Sequence, residues 1–444
     1  MRGNRTGFDG SIRAEEVDPM KHRWRIAALL AALALAAAAC GGDGDGDGGQ
    51  GTGEFAGTTI TMSVALAESE KAGIQDVLNK FKSQTGATVQ LTSVTAQDLP
   101  AKLEVEVKSN NRTIHLFAQD NLALAVLVQK GLVEDLSSVD IPNGVTEALI
   151  PEKFDDKQYF LPFRPNVRVT YVNKDRFSAA DAEPPKTVEE YKTVAEKLRA
   201  EAGGGKVTLS LANQPDTGPL GVTVSEWVVS HGGNPLILND SGSVAAFTFL
   251  QDLWKAGNFT AESKLAKYDT EVDYLKGETA WFATNWPFTT AELAKAGVLE
   301  KFDVYEGWAG PSRAAHVVGG DVLGIPKGIS GKQKDAAVAL AQYLVSKEAQ
   351  EILVAKNSWP SVRTDALSDV PADQKDTFDA ITAALSAGWY RPNVVYWSDV
   401  EAAMDQAVTN IIYNGQNPKT ALDAANAKIA AAAKAKGAEY PPSA

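Results

Sequence analysis

Between Thr59 and Gly131 the chain changes hydrophobic period again and again, and this alternation restricts the fold more than any other feature. Thr59 to Val64 reads as a short strand. Glu70 to Thr85 reads as an amphipathic helix with Ile74, Val77, Leu78 and Phe81 on one face, closed by Gly86. Val89 to Val94 is a second strand, Leu99 to Ser109 a second helix, and Thr113 to Phe117 a third strand ending at Gln119 and Asp120. A further helix runs to Lys130 and Gly131, where glycine suits a helix C-terminus. Strand and helix in alternation predict a parallel α/β sheet with helices on both faces. Ligands of such sheets collect at the C-terminal ends of the strands. Here those ends are Glu68 to Glu70 and Gln119 to Asn121.

Upstream of this body, basic residues from Lys21 to Arg25 precede an apolar run from Ile26 to Ala39, and Cys40 follows. The run of 14 residues is too short to cross a bilayer core of ~30 Å as a helix, so it reads as a signal peptide. The stretch resembles the lipobox of bacterial lipoproteins, in which the cysteine becomes the lipid-modified N-terminus. Ala37 stands where that motif usually has Leu, with Leu35 two residues earlier. The alternative is a plain secretory signal cut after Ala39. Cys40 is the only cysteine in the chain, so no intrachain disulfide is possible, and lipidation gives the thiol a use. The polar residues 1–19 precede Met20, which directly adjoins the basic run, so translation is expected to start there.

Charge narrows the function. The whole chain carries −13, and residues 1–39 hold six Lys or Arg and four Asp or Glu, leaving −15 on the remainder. Such an acidic body lacks the concentrated basic surface that nucleic acid requires. From Gly41 to Gly57 the residues are mostly Gly and Asp, a flexible spacer between membrane and folded body, which is expected to start at Thr58. Within the spacer, Asp43, Asp45, Asp47, Gly48 and Glu54 match the spacing of a calcium loop. The flanking residues supply no helices, so a repeat of Gly and Asp accounts for the match; no metal and no cofactor are expected. The roughly 390 residues that follow are enough for two domains.

Several segments, in order, are similar to the carbohydrate-binding proteins of ABC importers, of the maltose- and trehalose/maltose-binding type. They are Phe160 to Phe177, with its Leu-Pro and Tyr-x-Asn-Lys-Asp; Leu250 to Phe259; Tyr274 to Pro287, with Asn285-Trp-Pro; and Val318 to Lys327, with Gly-Gly and Ile-Pro. The helical Gln333 to Val345, Ser346 to Gln350, Pro360 to Arg363, Arg391 to Trp397 and Asn414 to Pro418 continue the series. The likeness spans residues 58–444. It implies a two-lobed periplasmic-binding-protein fold of the α/β class, each lobe a sheet flanked by helices, with a cleft between the lobes. Chain crossings are expected near residues 164–168, 303–308 and 359–363. The first lobe would then hold residues 58–165 and 305–362, and the second residues 166–304 and 363–444.

The resemblance also implies a set of ligand residues: Asp120, Phe163, Arg164, Asn166, Trp286, the backbone at Gly319 and Gly320, Arg391, and Tyr396 or Trp397, with Glu68 as a further candidate. A polyhydroxylated ligand needs flat aromatic faces and polar groups that pair its hydroxyls, and this set has both. Asn166 stands where the family often has an acid. Asp321 stands where relatives can have an aromatic, which exchanges a stacking face for a polar contact. Trp281, alternating with Phe282, is expected in the core. The implied function is capture of a di- or oligosaccharide by cleft closure and delivery to a membrane permease, by a monomer held to the membrane through lipid on Cys40. The competing readings are a surface glycosidase and a binder of another solute. A glycosidase needs two carboxylates ~5–5.5 or ~6.5–9.5 Å apart. Nothing in the sequence marks such a pair, and the four histidines lack metal-ligand spacing, so no catalysis is expected.

Overall fold

The computed structural model describes residues 53–66, 70–95, 98–121, 124–203, 219–368 and 370–441. Cys40 and the acidic residues Asp43, Asp45 and Asp47 lie outside these, as does Glu68; Glu54 is described and sits in an exposed turn. The folded body begins earlier than Thr58. Phe55 is buried against the first core, and its N–H donates to the Thr85 carbonyl at 2.8 Å.

In chain order the regular elements are β1 (Thr59–Ser63), α1 (Lys71–Thr85), β2 (Thr88–Thr92), α2 (Leu99–Ser109), β3 (Leu116–Asp120), α3 (Leu124–Gln129), β4 (Leu161–Val167) and β5 (Val169–Asn173). Then come α4 (Lys174–Ala179), α5 (Val188–Glu201), α6 (Pro219–Ser230), α7 (Ser241–Lys255), α8 (Tyr268–Lys276), β6 (Phe282–Asn285), α9 (Phe288–Lys295) and β7 (Phe302–Tyr305). The last third holds β8 (His316–Gly324), α10 (Gly331–Leu344), α11 (Lys347–Asn357), α12 (Lys375–Ser386), β9 (Gly388–Tyr390), α13 (Trp397–Val408) and α14 (Pro418–Ala435).

Local chemistry sets several of these limits. Gly86 closes α1 in the left-handed conformation (φ 78°), where its N–H reaches the Lys82 carbonyl and a side chain would be strained. The Asn417 side chain accepts the Thr420 N–H, and Pro418 fills the first turn of α14, where no amide hydrogen is needed.

The strands form two sheets. The larger has the order β2-β1-β3-β8-β4, with β9 also pairing β8. Its first half is parallel, as the sequence alternation predicts. The expectation of a wholly parallel sheet is corrected by β8, which runs antiparallel to both β3 and β4. The cause is topological, because β8 returns from the second sheet rather than arriving through a local helical crossover. The smaller sheet, β6-β5-β7, is antiparallel throughout.

Only Arg168 separates β4 in one sheet from β5 in the other, and the chain comes back between Tyr305 and His316. Hydrophobic clusters pack both sheets. Ile60, Phe81, Leu116 and Leu340 belong to one on the larger sheet, and Leu103, Phe117 and Phe160 to another. Tyr171, Leu293 and Phe302 pack with the smaller sheet, while Trp227, Phe247, Trp281 and Trp397 fill the largest cluster. Trp281 is therefore in the core, at 3 % exposure.

Candidate functional site

A cavity of about 370 Å³ opens against the middle of β4 and β8, where the two strands approach the second sheet. Its walls are Pro162 to Pro165, Val318 to Val322, the 148–152 segment, Tyr390 to Asn393, and Asn121 beyond the end of β3. This volume suits a small ligand.

Two guanidinium groups organise it. Arg391, 5 % exposed, follows β9 and reaches back to the end of β3, where Nη2 donates to Asp120 at 2.8 Å and to Asn121 at 3.0 Å. Arg164 on β4 donates through Nη1 to Glu70 at 3.0 Å, and its Nη2 is 2.8 Å from Asp321. The Arg164 guanidinium also lies 4.4 Å above the Trp359 ring, whose indole N–H donates to Glu70 at 2.6 Å. Strand register explains the arrangement: Asp321 on β8 is opposite Asp120 on β3 and opposite Arg164 on β4. Burial pushes the Asp321 carboxyl up to about 6; Arg164 counters this, while Asp120 and Glu70 add to it. The Nε–H groups of both arginines are buried without a hydrogen-bond partner.

Glycine is required at one of the predicted backbone positions by geometry. Gly320 has φ 107°, and a Cβ there would stand 2.0 Å from the Arg164 carbonyl oxygen. Gly319 makes room instead for Trp286, since a Cβ would stand 2.9 Å from the indole ring and 3.4 Å from Arg391. Trp286 is half-buried just past the end of β6, and Asn166 lies opposite Gly319 in the β4–β8 pairing.

The structure thus brings Phe163, Arg164, Gly319, Gly320, Asp321 and Arg391 together at one cavity. Asp120 is joined to it through Arg391, Trp286 lies beside Gly319 and lines a small neighbouring pocket, and Asn166 is opposite Gly319. Phe163 belongs to the cavity wall although it is only 1 % exposed and its ring packs edge-on against Trp359 at 5.7 Å. Two other expectations are corrected. Tyr396 and Trp397 are both buried in the core beside the smaller sheet, since the chain turns there into α13.

Sequence reasoning passed over Trp359, which backs Arg164, and Tyr390, whose hydroxyl donates to the Ala148 carbonyl at 2.9 Å. It also passed over Tyr268. That ring is 42 % exposed, packs edge-on against Phe288, and lies within electrostatic reach of Glu70 and Arg164. Its signal was weak: a tyrosine opening a helix of ordinary amphipathic pattern.

With this geometry in place, the relationships of the chain can be stated. Residues 76–380 match the family model described as bacterial extracellular solute-binding protein, which is more than half of the chain. The chain belongs to that family. Among solved structures, the GacH receptor of Streptomyces glaucescens superposes with a TM-score of 0.73 at 18% identity, covering 85% of this chain and 98% of that one. Maltose-bound MalE3 of T. maritima gives 0.73 at 19% identity, covering 84% and 99%. The cyclic alpha-maltosyl-1,6-maltose binding protein of Arthrobacter globiformis gives 0.70 at 20% identity, covering 85% and 99%. At these identities the superpositions establish the two-lobed fold. No curated protein matches the sequence. No helix among the described residues is long and apolar enough to cross a membrane.

Proposed function

We propose that the protein is the substrate-binding component of an ABC importer, and that it captures a carbohydrate in the cleft between its lobes. The observation that carries this reading is the cavity itself, where Arg164, Asp321 and Arg391 meet the backbone of Gly319 and Gly320, with Trp286 packed beside Gly319, within a solute-binding fold. Sugar hydroxyls both donate and accept, so they suit a wall where Arg Nε–H donors lack acceptors and carboxylate oxygens stand close by. Trp286 and Tyr268 supply flat apolar faces for the C–H surfaces of a pyranose. The structural neighbours in complex with acarbose and with maltose support this choice of solute class.

The lobes are residues 58–165 with 305–362, and 166–304 with 363–444, extended at the N-terminus to include Phe55. A ligand touching both lobes has higher affinity for the closed arrangement and shifts the population toward it. The closed form then docks on the permease. The protein acts outside the cytoplasm as a monomer, held at the membrane through lipid on Cys40, and carries out no catalysis. Cys40→Ala should release it to the medium; continued membrane association would overturn the anchor.

The direct test is titration calorimetry of protein lacking residues 1–40 against disaccharides, maltodextrins, amino sugars and sugar alcohols. Saturable binding near one site per chain, weakened at least tenfold by Trp286→Ala and by Asp120→Ala, supports the reading. Absence of heat with every sugar would move the cargo to another solute class.

A further inference from the structure

We infer that Asn285 is a positioning residue for ligand capture: its buried amide holds Tyr268 and Trp286 in one fixed arrangement, the aromatic face on which, in the carbohydrate reading this rests on, the sugar lies. Asn285 ends β6 and is 1 % exposed. Its Oδ1 accepts the Trp286 N–H at 2.7 Å. Its Nδ2 donates to the Tyr268 carbonyl at 2.7 Å and to the Glu271 carboxylate at 3.1 Å. A backbone N–H can only donate and a carbonyl can only accept, so the two ends of this amide cannot be exchanged. Tyr268, 17 positions before Asn285, opens α8, whereas Trp286 follows β6. One side chain thus ties the main chain of both aromatic residues across two elements.

The rings that these bonds seat stand at the cleft. Trp286 packs its indole against Gly319, which lines the main cavity. Tyr268, 42 % exposed, meets Trp286 around a smaller cavity of about 10 Å³, together with Arg168, Thr223 and Glu271. That is room for about one water, so the two residues rest on packed polar groups with little space to retreat. Separate contacts steady each of them. The Trp286 carbonyl accepts the Thr289 N–H at 3.1 Å, and the Tyr268 ring is edge-on to Phe288 at 5.9 Å. Asn285 joins the two. A buried amide is costly unless its polar atoms are paired, and an apolar side chain would suit the end of a buried strand better. What the amide adds is a defined geometry between Tyr268 and Trp286. The C–H surfaces of a pyranose gain most from an aromatic face that is held in place beforehand.

The test rests on a substitution that changes one end of the amide. Asn285→Asp keeps the acceptor for Trp286 and sets an oxygen against the Tyr268 carbonyl, so it loosens one ring and spares the other. Asn285→Asp combined with Glu271→Gln retains that mismatch without bringing two carboxylates together, and replaces the single variant if a thermal melt shows the latter unfolded. The variant is titrated calorimetrically with the same disaccharides, maltodextrins, amino sugars and sugar alcohols, in the wild-type and Tyr268→Ala backgrounds. Fluorine NMR of protein carrying 3-fluorotyrosine, with the Tyr268 resonance assigned through Tyr268→Phe, reports on the ring without any ligand. The expected result is at least tenfold weaker binding of the tightest sugar, less than twofold further loss in the Tyr268→Ala background, and a Tyr268 resonance that shifts or broadens. Unchanged affinity, an equal loss in the Tyr268→Ala background, or an unmoved Tyr268 resonance overturns the inference and leaves the carbohydrate reading standing. No heat from any sugar with wild-type protein, together with a resonance that moves as expected, overturns the carbohydrate reading and upholds the tie between Asn285 and Tyr268.

Discussion

Arg168 is the one residue between the two sheets on the outgoing chain, and its replacement by Met should be severe in a defined way. Its Nη1 donates to Glu226 at 2.9 Å and to Thr223 at 3.0 Å, and its Nη2 donates to the Thr284 carbonyl. Glu226 in turn accepts the Val317 N–H at 3.1 Å, on the strand that returns. One ion pair therefore ties the outgoing crossing to the incoming one, with side chains only 5% and 8% exposed. Removing one partner of such a pair costs about 3–5 kcal/mol, because the other charge stays buried, whereas replacing both with apolar groups is often close to neutral.

Burial already raises the Glu226 pKa, and Arg168 holds it down. Without the arginine it rises further. A carboxyl whose folded pKa is raised favours the fold when protonated, so this contribution is lost as pH climbs through the folded value. Arg168→Met should therefore lose less stability at pH 5 than at pH 8. Urea unfolding followed by tryptophan fluorescence at both pH values gives the measurement. Arg168→Met combined with Glu226→Met should recover most of the loss. A single-variant cost under about 1 kcal/mol, or a double variant worse than the single, would refute the account.

Other outcomes follow from the site. Glu401→Gln should stabilise the ligand-free protein at pH 8 by up to about 3 kcal/mol, since burial lifts the carboxyl from 4.5 to about 7 and each unit is worth about 1.4 kcal/mol. The gain should vanish below pH 4.5, which melting across pH 4–8 will show. Gly320→Ala should cost about 1–3 kcal/mol from the backbone conformation, and more from its clash with Arg164, measured by urea unfolding. Phe163→Ala and Trp286→Ala should separate: the first costs about 3–5 kcal/mol of stability through a core cavity, and the second weakens sugar binding with a smaller change in unfolding midpoint.

Much of the first lobe was legible because its elements are local. β1, α1, α2 and α3 fall within a residue or two of the periods read from Thr59 to Gly131, and helix α2 coincides with its expected limits. The site was half legible. Asp120 and Arg391 are 271 positions apart, and nothing between them announces the pair; only a likeness to other chains placed both at one cleft. Glu401 on α13 could not be placed from sequence either, because its side chain packs against Gly221, far away in the chain.

The position of β8 has a consequence for how the chain comes to fold. It is the strand that joins β3 to β4 in the larger sheet, and it is also the platform for β9. A chain emerging N-terminus first carries β1, β2, β3 and β4 long before His316 to Gly324 appear to unite them. Until then, half-sheets with open edges are all that the first lobe can form, and closing so distant a contact is slow. A chain released from its N-terminus onward therefore cannot complete this sheet until β8 has emerged as well.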